Sequence, residues 1–187
     1  STILLYDLTA DTYTTILTNY AFSNSAAVRM NENWIVASNF SSTPTVWIYN
    51  RQTGTQTSSF LNTANTTIGG LYGNYLTVGV ASAYVGGTYQ GQLRIYDLSV
   101  STTLTTTNQI KTIDNPNAYA ATTTSDYFGN HGAHHIYGNY LVVGASYEES
   151  PSGQNNMGVV YVFKTITGDW TDATLVQTLN NPNPVTQ

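Results

Sequence analysis

One strand pattern occurs four times along this chain, and that repetition restricts its possible folds more than any other property. An alternating apolar run ending in an aromatic appears as ILLYD from Ile3, VWIYN from Val46, LRIYD from Leu93 and VYVFK from Val160. Between the last three and the copies before them lies a second anchor, an Asn with an aromatic and an apolar run: NWIVAS from Asn33, NYLTVGV from Asn74 and NYLVVGA from Asn139. Tyr6, Tyr49, Tyr96 and Phe163 hold equivalent places, at steps of 43, 47 and 67 residues. The long last step carries an insertion over 114–131, rich in turn-forming residues; without roughly 20 of these the period returns to the mid-forties.

A period in the forties holding about four short strands is the size of a β-propeller blade. The expected fold is therefore all-β, in four-stranded antiparallel blades. In the third full repeat the spacing of Gly, Asn and Pro predicts strands over Ala133–Tyr137, Tyr140–Tyr147, Gly158–Lys164 and Ala173–Leu179. One such sheet cannot bury both its faces, so neighbours must stack. Runs such as YLVVGA, apolar at consecutive positions, suit a strand covered on both sides. The repeats divide the chain into a partial blade at 1–18 and blades at 22–61, 66–113 and 126–179. Propellers close with about 4 to 8 blades, so the expectation is an incomplete ring or part of a larger propeller, in a chain cut from a longer polypeptide or closing its ring with a second copy.

Composition narrows the function. Only 8% of residues are charged, yet 41% are hydrophobic and 12% aromatic, enough for a packed core. The five basic residues, Arg29, Arg51, Arg94, Lys111 and Lys164, are scattered in a chain of net charge -5, which argues against nucleic acid and against anionic membranes as partners. No apolar run approaches the ~18 residues that span a bilayer, and the absence of cysteine excludes disulfides, thiolate catalysis and cysteine-held metals.

The third repeat also carries a resemblance. DYFG from Asp126, IYGNYLVVGASYEE from Ile136 and GVVYVFK followed by GDW resemble the FG-GAP repeat of integrin-α-like propellers. The second repeat keeps GNYLTVGVA and GQLRIYD but lacks the FG pair, and the first keeps only the strand pattern. The connector TIDNPNAYAATTTSDYFG, echoed by TLNNPNP, resembles repeats in structural proteins of marine tailed phages. The resemblance implies a structural, adhesive module on a virion surface or in an extracellular assembly, with other protein subunits and host-surface glycans as partners. A bacterial cell-surface FG-GAP adhesin and a carbohydrate-active propeller enzyme are the alternatives. Many blades of the family hold calcium on alternating acidic residues, but here Glu148 and Glu149 are adjacent and point apart on an extended chain, so the calcium loop is not matched.

No cofactor and no catalytic residue are expected. Asp114, Asp126, Glu148, Glu149, Asp169 and Asp172 all fall in inferred loops and read as solvated turn residues. His131, His134 and Glu148 are the only weak metal candidates; His134 and His135 would face opposite sides of a strand, so the three histidines cannot all converge, and polar filling is the plainer reading. If Ala133–Tyr137 is an innermost strand, one of these histidines would line a central channel. Tyr49, Tyr72, Tyr75, Tyr96, Tyr137, Tyr140 and Tyr161 recur at repeat positions and read as packing residues. Tyr84, Tyr89 and Tyr147 lie in or beside loops that differ between repeats, which makes them the ligand-binding candidates.

Overall fold

A computed structural model describes residues 2–17, 27–39, 44–60, 66–81, 83–85, 88–117, 126–148 and 158–182. The fold is all-β. Strands β1 (Ile3–Asp7) and β2 (Thr12–Leu17) form a hairpin. A first four-stranded sheet follows: β3 (Ala27–Met30), β4 (Trp34–Ser38), β5 (Thr45–Asn50) and β6 (Gln56–Phe60). The second sheet has β7 (Thr66–Tyr72) and β8 (Tyr75–Val80), then, after the two-residue strands β9 (Tyr84–Val85) and β10 (Thr88–Tyr89), β11 (Gln92–Asp97) and β12 (Gln109–Asp114). The third holds β13 (His134–Tyr137), β14 (Tyr140–Ala145), β15 (Val159–Lys164) and β16 (Thr174–Asn180). Every pairing is antiparallel, and each large sheet keeps its strands in chain order.

The strands of the third repeat lie within two residues of the ends expected for them. The insertion is less empty than expected: β12 runs through Asp114, Phe128 bridges Ala145, and Asn130–Gly132 form a 3-10 turn. The repeat extends to irregularities. One extra residue is bulged out where β11 meets β12, between the partners of Ile95 and Tyr96, and where β15 meets β16, between those of Val162 and Phe163. Both bulges fall at the aromatic that marks the repeat.

The sheets bury their apolar residues against one another. Ile35, Ala37 and Trp47 of the first sheet pack with Ile16 and the half-buried Ile3 and Leu5 of the hairpin. On its other face Trp34, Val36, Val46 and Ile48 meet Ile68, Leu71, Leu76, Val78, Tyr96 and Leu98 of the second-sheet region. Leu93, Ile95 and Ile113 meet Phe128, Ile136, Leu141, Val143, Tyr161, Phe163 and Trp170 of the third. The second sheet is thus covered on both faces, and the apolar area removed from water there is the main stabilising term.

First strands lie against first strands: β3 packs on β7, and β7 on β13. Glycine permits the approach. A Cβ on Gly69 would fall 2.4 Å from the His134 ring, and one on Gly79 would fall 2.0 Å from the Gly129 carbonyl oxygen. Polar groups stitch the same seams, with Asn31 Nδ2 donating to Gly73 O at 2.8 Å, Trp34 Nε1 to Asn74 Oδ1 at 3.0 Å and the Gly132 amide to Thr67 Oγ1 at 3.1 Å.

Two faces remain uncovered among the described residues. On the third sheet β13 and β14 alternate buried and exposed, leaving Tyr137, Tyr140 and Val142 open to solvent. On the hairpin Leu4, Tyr6 and Tyr13 are exposed.

Candidate functional site

The carboxylates divide in two, which corrects the reading of all of them as solvated turns. Asp114 and Asp169 are exposed and Asp172 is half-buried; Glu149 lies outside the described residues. Asp169 accepts hydrogen bonds from the Thr171 amide and from the Thr167 and Thr171 hydroxyls, and Asp172 from the Thr165 hydroxyl and the amides of Ile166 and Thr167. These bonds stabilise the ionised form, holding both carboxyls below their usual range, Asp172 at about 2. Such residues organise the turn between β15 and β16.

Asp126 and Glu148 are buried, at 3% and 0% exposure. Asp126 stands two residues before the Phe128–Ala145 bridge and Glu148 three residues after β14, so the bridge that joins connector to sheet also draws the two carboxyls inward. Backbone bonds hold the pair from both sides: the Tyr147 amide donates to Asp126 O at 3.2 Å, and the Glu148 amide to Ala145 O at 3.3 Å.

Asn115, the residue after β12, lies between them. Its Nδ2 donates to Asp126 Oδ2 at 2.9 Å and to Glu148 Oε2 at 2.7 Å, while its Oδ1 accepts the Asn117 amide at 3.1 Å. That backbone donor fixes the amide's orientation, because a flipped side chain would turn its NH2 toward an N–H and its oxygen toward two carboxylates. Asn117 Nδ2 donates to Glu148 Oε1 at 3.1 Å. Tyr161, 1% exposed on β15, faces the pair, and its hydroxyl makes no hydrogen bond of normal geometry. Burial pushes the Glu148 carboxyl up to about 7; the Asn115 bond opposes this, and the neighbouring Asp126 charge adds to it. Burial and the Glu148 charge likewise hold the Tyr161 phenol well above its usual range.

The histidines behave as strand geometry predicts, with His134 buried and His135 exposed. His134 does not line a channel. Its Nδ1 lies 2.8 Å from Thr77 Oγ1 of the second sheet, its ring fills the space left by Gly69 and Gly79, and its Nε2 has no hydrogen-bond partner among the described residues. Burial, with the nearby Arg29 charge, lowers its pKa to about 3, so the ring is neutral. His131 is exposed in the 3-10 turn, where its amide donates to Asn130 Oδ1 at 2.8 Å. His134 and Glu148 therefore sit in separate contact sets, and among the described residues no three His, Asp or Glu side chains are placed to hold a metal ion.

Of the ligand-binding candidates, Tyr84 and Tyr89 are cross-strand partners in the β9–β10 hairpin, with Tyr84 64% exposed. Tyr147 is half exposed and packs edge-on against Tyr127, ring centroids 4.8 Å apart, each ring next in sequence to one of the two carboxyls. The reading of the recurrent tyrosines as packing residues holds for buried Tyr96 and Tyr161 and half-buried Tyr49 and Tyr75. It fails for Tyr72, Tyr137 and Tyr140. Tyr72 and Tyr137 end the first strands of adjacent sheets and meet edge-on at 5.1 Å, and Tyr140 belongs to the uncovered face, with Lys164 Nζ 5.4 Å from its ring centre. These three extend the exposed aromatic surface beyond what repeat position predicts. No protein-family model matches the chain, and no curated protein matches it.

Proposed function

We propose that the chain is a non-enzymatic structural and adhesive module, built of FG-GAP-like propeller blades and belonging to a virion appendage or another extracellular assembly. The observation that carries this reading is the stack itself: three four-stranded sheets of one repeat, packed face to face with their first strands in contact. In a propeller those first strands line the axis and the uncovered outer faces receive further blades. Solvent-exposed aromatics supply contact area at low entropic cost, and Tyr84, Tyr147, Tyr72 and Tyr137 offer it toward a glycan or a protein subunit.

The carbohydrate-active alternative makes a different demand. Glycoside hydrolysis needs two carboxyls reaching one bound sugar, whereas Asp126 and Glu148 are closed off from solvent. No helix among the described residues is long and apolar enough to cross a membrane.

The test is a glycan array and a host-surface binding assay on the full chain, with Tyr84→Ala and Tyr147→Ala as variants. Saturable binding that falls at least about tenfold in a folded variant is expected, since an aromatic anchor contributes 1.4 kcal/mol or more. Polysaccharide cleavage abolished by replacing a single carboxylate would refute the reading.

A further inference from the structure

The two ends of the inserted connector meet at the buried carboxyl pair. Asn115 and Asn117 leave the last strand of the second sheet, Asp126 precedes the bridge into the third, and Glu148 follows β14. Glu148 takes side-chain bonds from Asn115 and Asn117, Asn115 also bonds Asp126, and the Gly158 amide at the start of β15 donates to Glu148 O at 3.3 Å. Glu148 therefore ties Asn115 and Asn117, through its carboxyl, to the entry of β15, through its backbone carbonyl.

We propose that Asp126 and Glu148 hold one proton between them, and that this protonated pair is a clasp that fastens Asn115 and Asn117, just past the second sheet, to the third sheet in acid and loosens as pH rises.

Three observations support it. Both carboxyls lie within hydrogen-bond distance of a single nitrogen, Asn115 Nδ2, in a site closed to water, and two like charges so placed cannot both ionise without a large cost. The groups acting on Glu148 among the described residues are the Asp126 carboxyl, the Asn115 and Asn117 amides and the Tyr161 phenol, and none of them is cationic. A proton rather than a metal ion fits the space, because the Asn115 amide, oriented by the Asn117 N–H, turns its positive edge into the gap a cation would occupy. The Tyr161 hydroxyl faces Glu148 and favours its ionised form, so it is the donor on which the ionised pair would draw.

The test is backbone hydrogen exchange on the full chain, corrected for intrinsic rates, followed at the Asn117, Tyr147 and Gly158 amides between pH 5 and 8. One-proton linkage predicts protection that falls roughly tenfold per pH unit up to about pH 7, while amides in β8 and β11 stay unchanged. Glu148→Gln mimics the protonated acid; it should abolish the slope and keep the clasp closed at pH 8. Asp126→Asn should lower the midpoint, and Tyr161→Phe should raise it. A flat wild-type profile, or a Glu148→Gln variant that is folded yet unprotected at every pH, would overturn the proposal; the second result would mean that a cation neutralises the pair. Independently of any variant, a 13C titration of the wild-type Glu148 carboxyl with an ordinary midpoint near 4.5 would also overturn it.

Discussion

Leu141 and Val142 are neighbours on β14 that the stacking of sheets should make energetically unlike. Leu141 is 0% exposed in the core shared with Leu93, Ile95 and Ile113 of the second sheet, and Val142 is 40% exposed on the uncovered face. Leu141→Ala removes three buried carbons at about 0.8 kcal/mol each, and the residual cavity brings the loss to roughly 3–4 kcal/mol. Val142→Ala removes two carbons already partly wet, a loss of about 1 kcal/mol or less. For a chain of this length 1 kcal/mol moves Tm by about 2–4 °C, so the first variant should melt roughly 6–16 °C lower and the second within about 4 °C of wild type. Calorimetry alongside urea melts, with the m-value confirming an unchanged denatured state, measures both. Equal losses would refute the reasoning, since they would mean that the third sheet has no preferred face against the second.

Further outcomes concern pH and the glycines. His134 stays neutral when folded but takes a proton below about 6.5 when unfolded, so its contribution is present above pH 6.5 and lost as pH falls toward 3, at about 1.4 kcal/mol per unit. Glu148 acts with the opposite sign, its contribution fading as pH rises from 4.5 to about 7; chemical denaturation of Glu148→Gln should therefore expose a slope between pH 4.5 and 6.5 that the wild type conceals. Gly79→Ala, which drives a Cβ to within 2.0 Å of a backbone oxygen that no rotamer change can move, should cost about 1–3 kcal/mol or more by calorimetry. Gly138→Ala meets nothing within 4 Å and should cost about 1 kcal/mol for its φ of 55° alone.

The strand framework was legible because it is local: alternation, turn residues and a recurring aromatic place each strand without knowledge of its neighbours. Burial was not legible in the same way. NYLTVGV and NYLVVGA read almost identically, yet β8 is buried on nearly every residue and β14 on alternate ones, because β8 lies between two sheets and β14 beside one. The same asymmetry exposes Tyr137 and Tyr140 while it buries Tyr96 and Tyr161. His134 was partly legible, since a strand must turn it and His135 to opposite sides; its seat on Gly69 and Gly79 depends on two sheets meeting. The carboxyl pair was missed for a similar reason. Asp126 and Glu148 sit outside strands, where acids are ordinarily solvated, and only the Phe128–Ala145 bridge brings them under cover beside Asn115, 33 residues from Glu148. The one available signal was Asn115 itself, an amide immediately after a strand in a connector whose NPN is echoed in TLNNPNP.

The face-to-face stack with abutting first strands is tested most directly by through-space NMR contacts between β7 and β13. A Cβ placed on Gly70 would lie 2.7 Å from Ile136 Cγ2, and one on Gly69 would lie 2.4 Å from His134 Cε1. Strong NOEs are therefore predicted from the Gly70 α-protons to the Ile136 γ2-methyl and from the Gly69 α-protons to the His134 ring proton on Cε1. If both are missing while the NOEs within β7–β8 and within β13–β14 are intact, the sheets form without stacking in this register, and the account is wrong.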